Sequence, residues 1–493
     1  MKRIAVIGGG LAGLTSATIL ARSGHHVTLF EQSAAVGGKL GCAQFDGCTF
    51  DLGPSLLTMP FVLDEFFRRA GTTLAAELQL VEVTPGCQYR WTDGTVLDVP
   101  SDVDGFSEAI ARMSPVDGDA VRRYFDHARR VYEATKDIFI FSPFRGLREL
   151  VSPANLRLLP MWRTMRFTQT LHALHAEYFR DPRVIQLFDR FATYNGSSPY
   201  RAPATLMVIP YVEAAFGAWY PLGGMRSIAN AYRAVAERAG VHIRCSTPVR
   251  SIRTQRGIAV GVELHDATFF EADHIVSNVD VHVTNTMLLG HDRPHPRDPS
   301  TSGVVIVASV DAAADPSLRH HTVCFSSDYR REFRQLETSL PDAPTIYLSR
   351  SVHSDPSQAV AGRENWFLLL NAPPTGMMGD RGHWQAQAPT IALRTFEQLA
   401  AYGLRPNVRQ MQVLTPDDFA TRWGAWGGSI YGSASNNMMS AFLRQPAQSS
   451  KVKNLWYAGG TAHPGGGIPL VTISGMLAAD AIARTRHPVT LTY

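Results

Sequence analysis

Apolar residues near the start of the chain form two short runs, which are separated by a longer stretch that begins with glycines. The short runs, IAVI at residues 4–7 and HVTLF at residues 26–30, are rich in the β-branched and aromatic side chains that strands favour. The stretch between them has a helical character, with small residues such as Ala17 facing back for close packing. This order predicts a strand, a helix and a second strand.

The pattern changes several times along the rest of the chain. Residues 101–191 show the repeated apolar spacing of helices, whereas residues 241–278 show short β runs. Residues 300–418 return to alternating strand and helix patterns. The end of the chain predicts a strand at 452–457, a glycine-rich loop, and a helix over residues 470–484.

Three glycines follow the first predicted strand and open the predicted helix. In the spacing Gly8-x-Gly10-x-x-Gly13, the first allows a tight turn, the second admits a pyrophosphate, and the third lets helix and strand pack closely. Glu31 follows about twenty residues later and can accept hydrogen bonds from both ribose hydroxyls. The pattern predicts a dinucleotide site. Its residues are Gly8, Gly10, Leu11, Ala12, Gly13, Glu31 and Gln32.

A second pair of glycines, in VGGK at residues 36–39, is followed by FDLGPS at residues 50–55. Together these segments resemble the extended signature of flavoproteins that include amine oxidases, carotenoid desaturases and Rab escort proteins. The resemblance implies that the dinucleotide is FAD, and that a strand residue contacts its adenine through the backbone. The residues implied are Gly38, Lys39, Pro54, Ser55, Val249 and Asn278. For Lys39, a solvated surface charge is the alternative to a contact with the phosphates or ribityl oxygens.

The C-terminal segment AGGTAHPGGGIPLVTISG, residues 458–475, lies between the last predicted strand and the last predicted helix. The helix N-terminus would point at the pyrimidine edge of the flavin ring, where negative charge collects on reduction. Glycine suits a loop that runs against a flat ring, since any Cβ would occupy space that the ring or substrate needs. The residues assigned to this second site are Gly459, Gly460, Gly467, Ile468 and Pro469.

This segment closely resembles the C-terminal signature of bacterial carotenoid enzymes of the phytoene desaturase type. The resemblance extends to residues 38–60, 191–205 and 219–225, and therefore to nearly the whole chain; Tyr457, Thr461 and Gly466 depart from the usual residues of the signature. It implies FAD-dependent desaturation of a long-chain carotenoid, either acyclic or hydroxylated. A carotenoid isomerase, a terminal-methyl oxygenase, a flavin amine oxidase and a non-enzymatic lipid-binding escort protein are the alternatives.

The resemblance implies a mixed α/β fold with a discontinuous, Rossmann-like FAD-binding domain, a mixed-sheet substrate domain and a helical cap. Residues 1–70, 225–295 and 428–493 are assigned to the FAD-binding domain. Residues 71–119 and 296–427 are assigned to the substrate domain, and residues 120–224 to the cap, which we expect to contact the membrane.

Composition and charge argue against several classes of binding site. The chain has 493 residues, 45% of them hydrophobic, with a formal charge of +4 and without a basic run that would indicate nucleic acid. The five cysteines are scattered, which predicts reduced thiols in a cytoplasmic protein. The 17 histidines are scattered too, and we expect no metal site, with His320 and His321 a loop pair. His463 is the candidate catalytic residue, and a loop-stabilising side chain is its alternative role.

A polyene substrate implies contact with a membrane, but we expect neither a signal peptide nor a transmembrane helix. The apolar start of the chain imitates a signal peptide or a short membrane span, yet its glycine fingerprint indicates a nucleotide-binding turn. Between residues 138 and 168, five arginines and one acid alternate with apolar residues, which predicts peripheral attachment to the cytoplasmic face of the membrane. The arginines are Arg145, Arg148, Arg157, Arg163 and Arg166. A quinone or oxygen is the expected electron acceptor.

Overall fold

The structure is a computed structural model. It describes residues 1–144, 162–291, 298–312, 317–375, 382–436 and 444–484.

The strands are β1 (Arg3–Ile7), β2 (His26–Phe30), β3 (Cys42–Phe45), β4 (Cys48–Asp51), β5 (Leu80–Glu82), β6 (Cys87–Arg90), β7 (Val96–Val99), β8 (Trp219–Pro221), β9 (His242–Arg244), β10 (Val249–Gln255), β11 (Ile258–Leu264), β12 (Phe269–Glu271), β13 (His274–Ser277), β14 (Ser302–Asp311), β15 (His321–Cys324), β16 (Ile346–Arg350), β17 (Arg363–Ala372), β18 (Val408–Leu414) and β19 (Leu455–Tyr457). The α-helices are α1 (Leu11–Arg22), α2 (Pro60–Arg69), α3 (Leu74–Glu77), α4 (Val103–Met113), α5 (Pro115–Phe139), α6 (Trp162–Met165), α7 (Leu171–Tyr178), α8 (Pro182–Asp189), α9 (Val208–Phe216), α10 (Arg226–Arg238), α11 (Val281–Val283), α12 (Tyr329–Gln335), α13 (His383–Leu399), α14 (Pro416–Trp423) and α15 (Ile468–Ala483).

The N-terminal βαβ unit forms the centre of a five-stranded parallel sheet in the order β19-β13-β1-β2-β9. Successive residues of β1 point to opposite faces, as the strand period of two requires. Ile4 and Val6 pack in the core that contains α1, α10 and α15, whereas Ala5 and Ile7 pack against β10 to β12. Burial on both faces explains why this strand is apolar throughout its length after Arg3.

A second, seven-stranded sheet has the order β18-β14-β17-β16-β15-β6-β7. Its strands come from residues 87–99 and 302–414, so the sheet is assembled from two distant parts of the chain. The predicted domain boundaries remain a prediction, although the strands of the two sheets fall within the segments assigned to the two domains.

The helical lobe, which we define as α4 to α9, has a core rich in aromatic side chains, including Phe106, Tyr124 and Phe188. Buried Arg190 joins this core to the large sheet, because its Nη2 donates a 2.8 Å hydrogen bond to the Tyr89 hydroxyl. The helical character predicted for residues 101–191 is confirmed in the described residues. Of the predicted membrane-facing arginines, Arg145, Arg148 and Arg157 lie outside the described residues.

The mixed α/β class predicted from the sequence is confirmed. The expected start of the last helix after Pro469 is wrong, because α15 begins at Ile468 and includes Pro469 in its first turn. A proline is tolerated there since first-turn N–H groups have no intrahelical acceptor. Among the residues described, no helix is both long enough and apolar enough to cross a membrane.

Candidate flavin site

The predicted nucleotide residues come together because their strands are parallel. β1, β2, β13 and β19 all run in one direction, so their carboxyl ends meet at the same edge of the sheet. The residues that follow these four strands are Gly8, Glu31, Asn278 and Ala458. Hydrogen bonds connect them to neighbouring strand ends: the Gly8 N–H donates to Phe30 and the Asn278 N–H to Ile7. This edge is the expected ligand-binding position of an open α/β sheet.

The first glycine turn has the geometry that its spacing predicts. Gly8 has a φ of +94°, and a Cβ on Gly13 would lie 2.1 Å from the Gly8 carbonyl oxygen. Gly8 disfavours a side chain because its backbone is in the left-handed region. Gly13 excludes one because its Cβ would overlap the Gly8 carbonyl oxygen. Helix α1 begins at Leu11 and has no side-chain cap. The N–H groups of its first turn, including those of Leu11 and Ala12, are therefore available to an anion.

Glu31 is buried next to this turn, with 7% of its surface exposed. Its Oε2 accepts a 2.7 Å hydrogen bond from the Gly9 N–H, and its Oε1 accepts a 2.8 Å bond from the Ser33 N–H. A carboxylate can accept about four hydrogen bonds, so each oxygen retains acceptor capacity. Glu31 is thus fixed at the end of β2, where it could accept hydrogen bonds from ribose hydroxyls, and Gln32 beside it is exposed.

The second glycine pair folds over the first turn. The Gly37 N–H donates a 2.8 Å hydrogen bond to the Gly9 carbonyl, and a Cβ on Gly38 would lie 3.4 Å from the Gly10 Cα. Lys39 is half-buried and its Nζ donates a 2.5 Å bond to the Ile430 carbonyl. Burial lowers the pKa of Lys39, and the charge of Asp280 partly opposes that shift. The Nζ of Lys39 is therefore bound to a backbone carbonyl, and its contact with the phosphates or ribityl oxygens stays a prediction.

Asn278 links the two glycine-rich segments. Its Nδ2 donates a 2.8 Å hydrogen bond to the Ala458 carbonyl, and a Cβ on Gly10 would lie 2.7 Å from its Oδ1. That Oδ1 is shielded from solvent and has no hydrogen-bond partner in the described part of the chain. A buried acceptor without a partner, beside uncapped helical amides and a glycine turn, fits a site that a polar cofactor completes.

The C-terminal glycine loop ends in a second uncapped helix. Gly467, with a φ of +104°, is the N-cap of α15 and provides no side-chain cap. This helix packs closely on α1, since a Cβ on Gly475 would lie 2.5 Å from the Ala12 carbonyl oxygen. Gly459 approaches Asn278, because a Cβ there would lie 2.6 Å from its Nδ2, and Gly460 approaches Gly466. The predicted residues Ile468 and Pro469 form the first turn of α15.

The nearest obstacle to a side chain at Gly466 is a residue that sequence reasoning did not identify. A Cβ at this position would lie 2.5 Å from Cδ1 of the Tyr431 ring. The glycine was expected to make room for the flavin ring or substrate, and the protein itself supplies a further reason for it. Tyr431 lies in a loop without a periodic pattern, so no sequence signal marked it.

His463 is buried and engaged by its neighbours. Its Nε2 lies 2.9 Å from the Ser142 carbonyl oxygen, and its own carbonyl accepts a 2.7 Å bond from the Ser474 hydroxyl. Burial lowers the pKa of His463 to about 4; the Ser142 carbonyl opposes this shift and the charge of Arg444 adds to it. The imidazole is therefore neutral near pH 7, with Nε2 protonated because a carbonyl can only accept.

Of the remaining predicted residues, Val249 lies near this edge, whereas Ser55 contacts the seven-stranded sheet. Val249 is the first residue of β10, two residues after Thr247, whose N–H donates a 2.8 Å bond to the Glu31 carbonyl. Pro54 is exposed, and the hydroxyl of Ser55 lies 2.6 Å from that of Tyr347.

Tyr347 in turn lies 2.7 Å from Nδ1 of His321, which is the first residue of β15. The prediction that His320 and His321 form a loop pair is therefore wrong for His321. Its buried position in the large sheet results from long-range strand pairing, which the local sequence does not specify. The residues described contain no cluster of three or more side chains that could hold a metal ion.

Comparisons with known proteins agree with a flavin site at this edge of the sheet. The family of flavin-containing amine oxidoreductases matches residues 11–483. A 1-hydroxycarotenoid 3,4-desaturase from Flavobacterium sp. is 32% identical over 98% of this chain and 100% of its own length. A hydroxyneurosporene desaturase from Cereibacter sphaeroides is 34% identical over 98% of this chain and 97% of its own. A 4,4'-diapolycopene oxygenase from Methylomonas sp. is 32% identical, with 98% of each chain covered.

The fold also matches solved structures. A cyclohexylamine oxidase from Brevibacterium oxydans superimposes with a TM-score of 0.61 at 17% identity, over 98% of this chain and 99% of that one. The predicted FAD cofactor and oxidoreductase class are confirmed by the family match. The chain belongs to the family of flavin-containing amine oxidoreductases.

Proposed function

We propose that this protein is an FAD-dependent desaturase that introduces carbon–carbon double bonds into an acyclic or hydroxylated carotenoid. The observation that carries the proposal is the contact between the glycine loop and the segment of the helical lobe that follows α5. His463 contacts the Ser142 carbonyl, and the ring centroids of His463 and Phe144 are 6.1 Å apart. An apolar, aromatic lobe thus adjoins the flavin edge, as a polyene substrate requires. Full-length similarity to two desaturases of hydroxylated carotenoids supports the same substrate class.

Desaturation removes two hydrogens from adjacent carbons, one as a hydride and one as a proton, and FAD when bound supplies the hydride acceptor. The first turn of α1 would hold its pyrophosphate and Glu31 its ribose. The first turn of α15 would present a positive dipole end to its pyrimidine edge. The aromatic lobe would exclude water and align the polyene.

Proton loss from the substrate does not require a strong base from the protein. A polyene delocalises positive charge, so the neighbouring carbon releases its proton without a strong base. His463 is a weak base, with its pKa held at about 4, and its Nε2–H is committed to Ser142. We therefore infer that His463 holds the loop and does not transfer the proton.

We further propose that the protein works at a membrane surface and passes its electrons to a quinone or to oxygen. Helix α5 ends at Phe139, and residues 140–144 connect it in the sequence to Arg145, Arg148 and Arg157, which lie outside the described residues. Arg166, which follows α6, is exposed and lies 3.6 Å from Glu177. Basic and apolar residues together favour an anionic lipid surface. Co-sedimentation with anionic vesicles, compared with neutral vesicles and with high salt, tests this part of the proposal.

The desaturase proposal is tested with purified holoenzyme in liposomes that contain hydroxylated or unmodified acyclic carotenoids. We expect a red-shifted absorption spectrum and a product lighter by two hydrogen atoms, formed anaerobically with a quinone. A Gly13→Val variant is the control, because its side chain would collide with the Gly8 carbonyl and prevent FAD binding. In a parallel assay in air, a product that gains oxygen would identify an oxygenase; a product of unchanged mass in either assay would identify an isomerase, and either result would contradict the proposal.

A further inference from the structure

Arg444 is a cation in the C-terminal glycine loop region that neither the fingerprint nor the signature predicts. Its Nη1 donates hydrogen bonds of 3.0 Å to the Gly460 carbonyl and 3.2 Å to the Tyr431 carbonyl. A Cβ on Gly465 would lie 3.3 Å from its Nε. The guanidinium therefore contacts backbone on two sides of the loop that precedes α15.

The other terminal nitrogen of Arg444 is unsatisfied. Its Nη2 is shielded from solvent and has no hydrogen-bond partner among the residues that the structure describes. Within the described parts of the chain, no carboxylate lies within ion-pair distance of Arg444. Burial lowers the pKa of Arg444 to about 10, so the group keeps its charge at neutral pH. A buried cation whose only partners are carbonyls is unfavourable unless an anion completes its surroundings.

FAD offers two anionic groups, the pyrophosphate and the pyrimidine edge of the reduced ring. The amides of α1 and the turn at Gly8 already form a pyrophosphate site. Arg444 does not contact that turn directly. Asn278 lies between them: it approaches Gly10 on one side and Gly459 on the other, and Arg444 donates to the neighbouring Gly460 carbonyl. Arg444 contacts instead the loop that ends in the uncapped first turn of α15.

We propose that Arg444 is the cation that compensates the negative charge of the reduced flavin at its N1 and C2 carbonyl. Its charge adds to the dipole of α15, and its Nη2–H is the free donor. The guanidinium is held in place by the two carbonyls, so it stabilises the reduced cofactor without reorganising when electrons arrive. The inference rests on FAD as the cofactor and does not depend on the identity of the substrate.

The test measures the affinity of the apoprotein for oxidised and for reduced FAD, together with the midpoint potential, in the absence of any substrate. Arg444→Gln keeps a donor for the backbone carbonyls and removes the charge. We expect it to weaken the binding of reduced FAD at least about tenfold more than that of oxidised FAD, which lowers the two-electron potential by about 30 mV per factor of ten. Arg444→Lys, which retains the charge, should shift this ratio by less than about threefold.

Arg226→Gln is the matched control, because Arg226 also donates a hydrogen bond to a loop carbonyl, that of Leu40. It should leave the potential unchanged. Equal weakening of both oxidation states in Arg444→Gln would assign Arg444 to the phosphates or to loop structure and overturn the proposal. An equal potential shift in Arg226→Gln would overturn it as well.

A second measurement needs no variant and therefore holds even if Arg444→Gln fails to fold. The wild-type holoenzyme is reduced anaerobically and titrated with acid, while the spectrum of its flavin is compared with that of free reduced FAD. A cation at N1 favours the anionic form, so we expect bound reduced flavin to stay anionic to a lower pH than the free cofactor. Protonation at the same or a higher pH would contradict the proposal. Because no carotenoid is present, failure of the desaturase assay leaves this result unaffected.

Discussion

The Nε2–H of His463 donates a hydrogen bond to the carbonyl oxygen of Ser142, across 2.9 Å and between residues 321 positions apart in the sequence. The bond joins the C-terminal glycine loop to the segment that follows α5. It gives the imidazole a structural partner and fixes its tautomer.

For His463→Ala we therefore expect a modest fall in turnover, well below about a hundredfold, together with reduced FAD retention. The loop loses its contact with Ser142, whereas no proton transfer is lost. Turnover and flavin content are measured on the same preparation. His463→Gln, whose amide can still donate to the carbonyl, should retain more flavin. Normal flavin content with turnover reduced more than about a hundredfold would instead make His463 a general acid or base.

For Glu31→Ala we expect FAD to bind about ten- to a hundredfold more weakly, which corresponds to a loss of roughly 1 to 3 kcal/mol from charge-assisted hydrogen bonds. Fluorescence titration of the apoprotein measures this. Part of the effect should come from the Gly9 and Ser33 amides, which lose their acceptor. Glu271→Gln, at an exposed ion pair with Arg3, is the control and should bind FAD normally. Full flavin retention in Glu31→Ala after dilution would mean that Glu31 does not bind the ribose.

For Gly466→Val we expect FAD to remain bound while turnover falls by about a hundredfold, because displacement of the reacting groups by about 1 Å is sufficient for such a loss. The new side chain collides with the Tyr431 ring and forces the loop to move. Adding Tyr431→Ala should restore part of the activity, since it removes the obstacle. Loss of FAD in the single variant would show that the loop is needed for binding and would contradict this expectation.

Asp51 should make stability depend on pH. Its carboxylate accepts bonds from the Tyr220 hydroxyl and the Met225 N–H, but burial raises its pKa from 3.8 to about 6. The folded protein therefore binds this proton more tightly than the unfolded chain. The associated stability is fully present below about pH 4, and about 3 kcal/mol is lost as the pH rises through about 6.

Urea unfolding at pH 4.5 and at pH 7 measures this contribution as a difference between wild type and Asp51→Asn. We expect the wild type to lose more free energy of unfolding than the variant over that interval, because the amide cannot ionise. Exposed Asp64→Asn should behave like the wild type. The same pH dependence in Asp51→Asn would assign the effect to other groups.

The sequence alone determined the elements whose geometry is local. Gly8, Gly10 and Gly13 dictate a turn between strand and helix, and Glu31 is fixed by the length of the following helix and strand. The resemblance to the family was recognisable because its signatures are contiguous segments of the sequence, and the comparisons confirm it. The boundary of the last helix was missed by two residues, because a first-turn proline leaves its start ambiguous.

Only the tertiary structure decided which distant residues complete the site. Asn278 and Ala458 meet across 180 positions because β13 pairs with β19, and His463 reaches Ser142 because the helical lobe packs against the loop. Arg444 and Tyr431 lie in stretches without periodicity, and the burial and unsatisfied nitrogen of Arg444 exist only in the folded chain. Local pattern specifies turns and strands, whereas the partners of a buried side chain depend on contacts between segments far apart in the sequence.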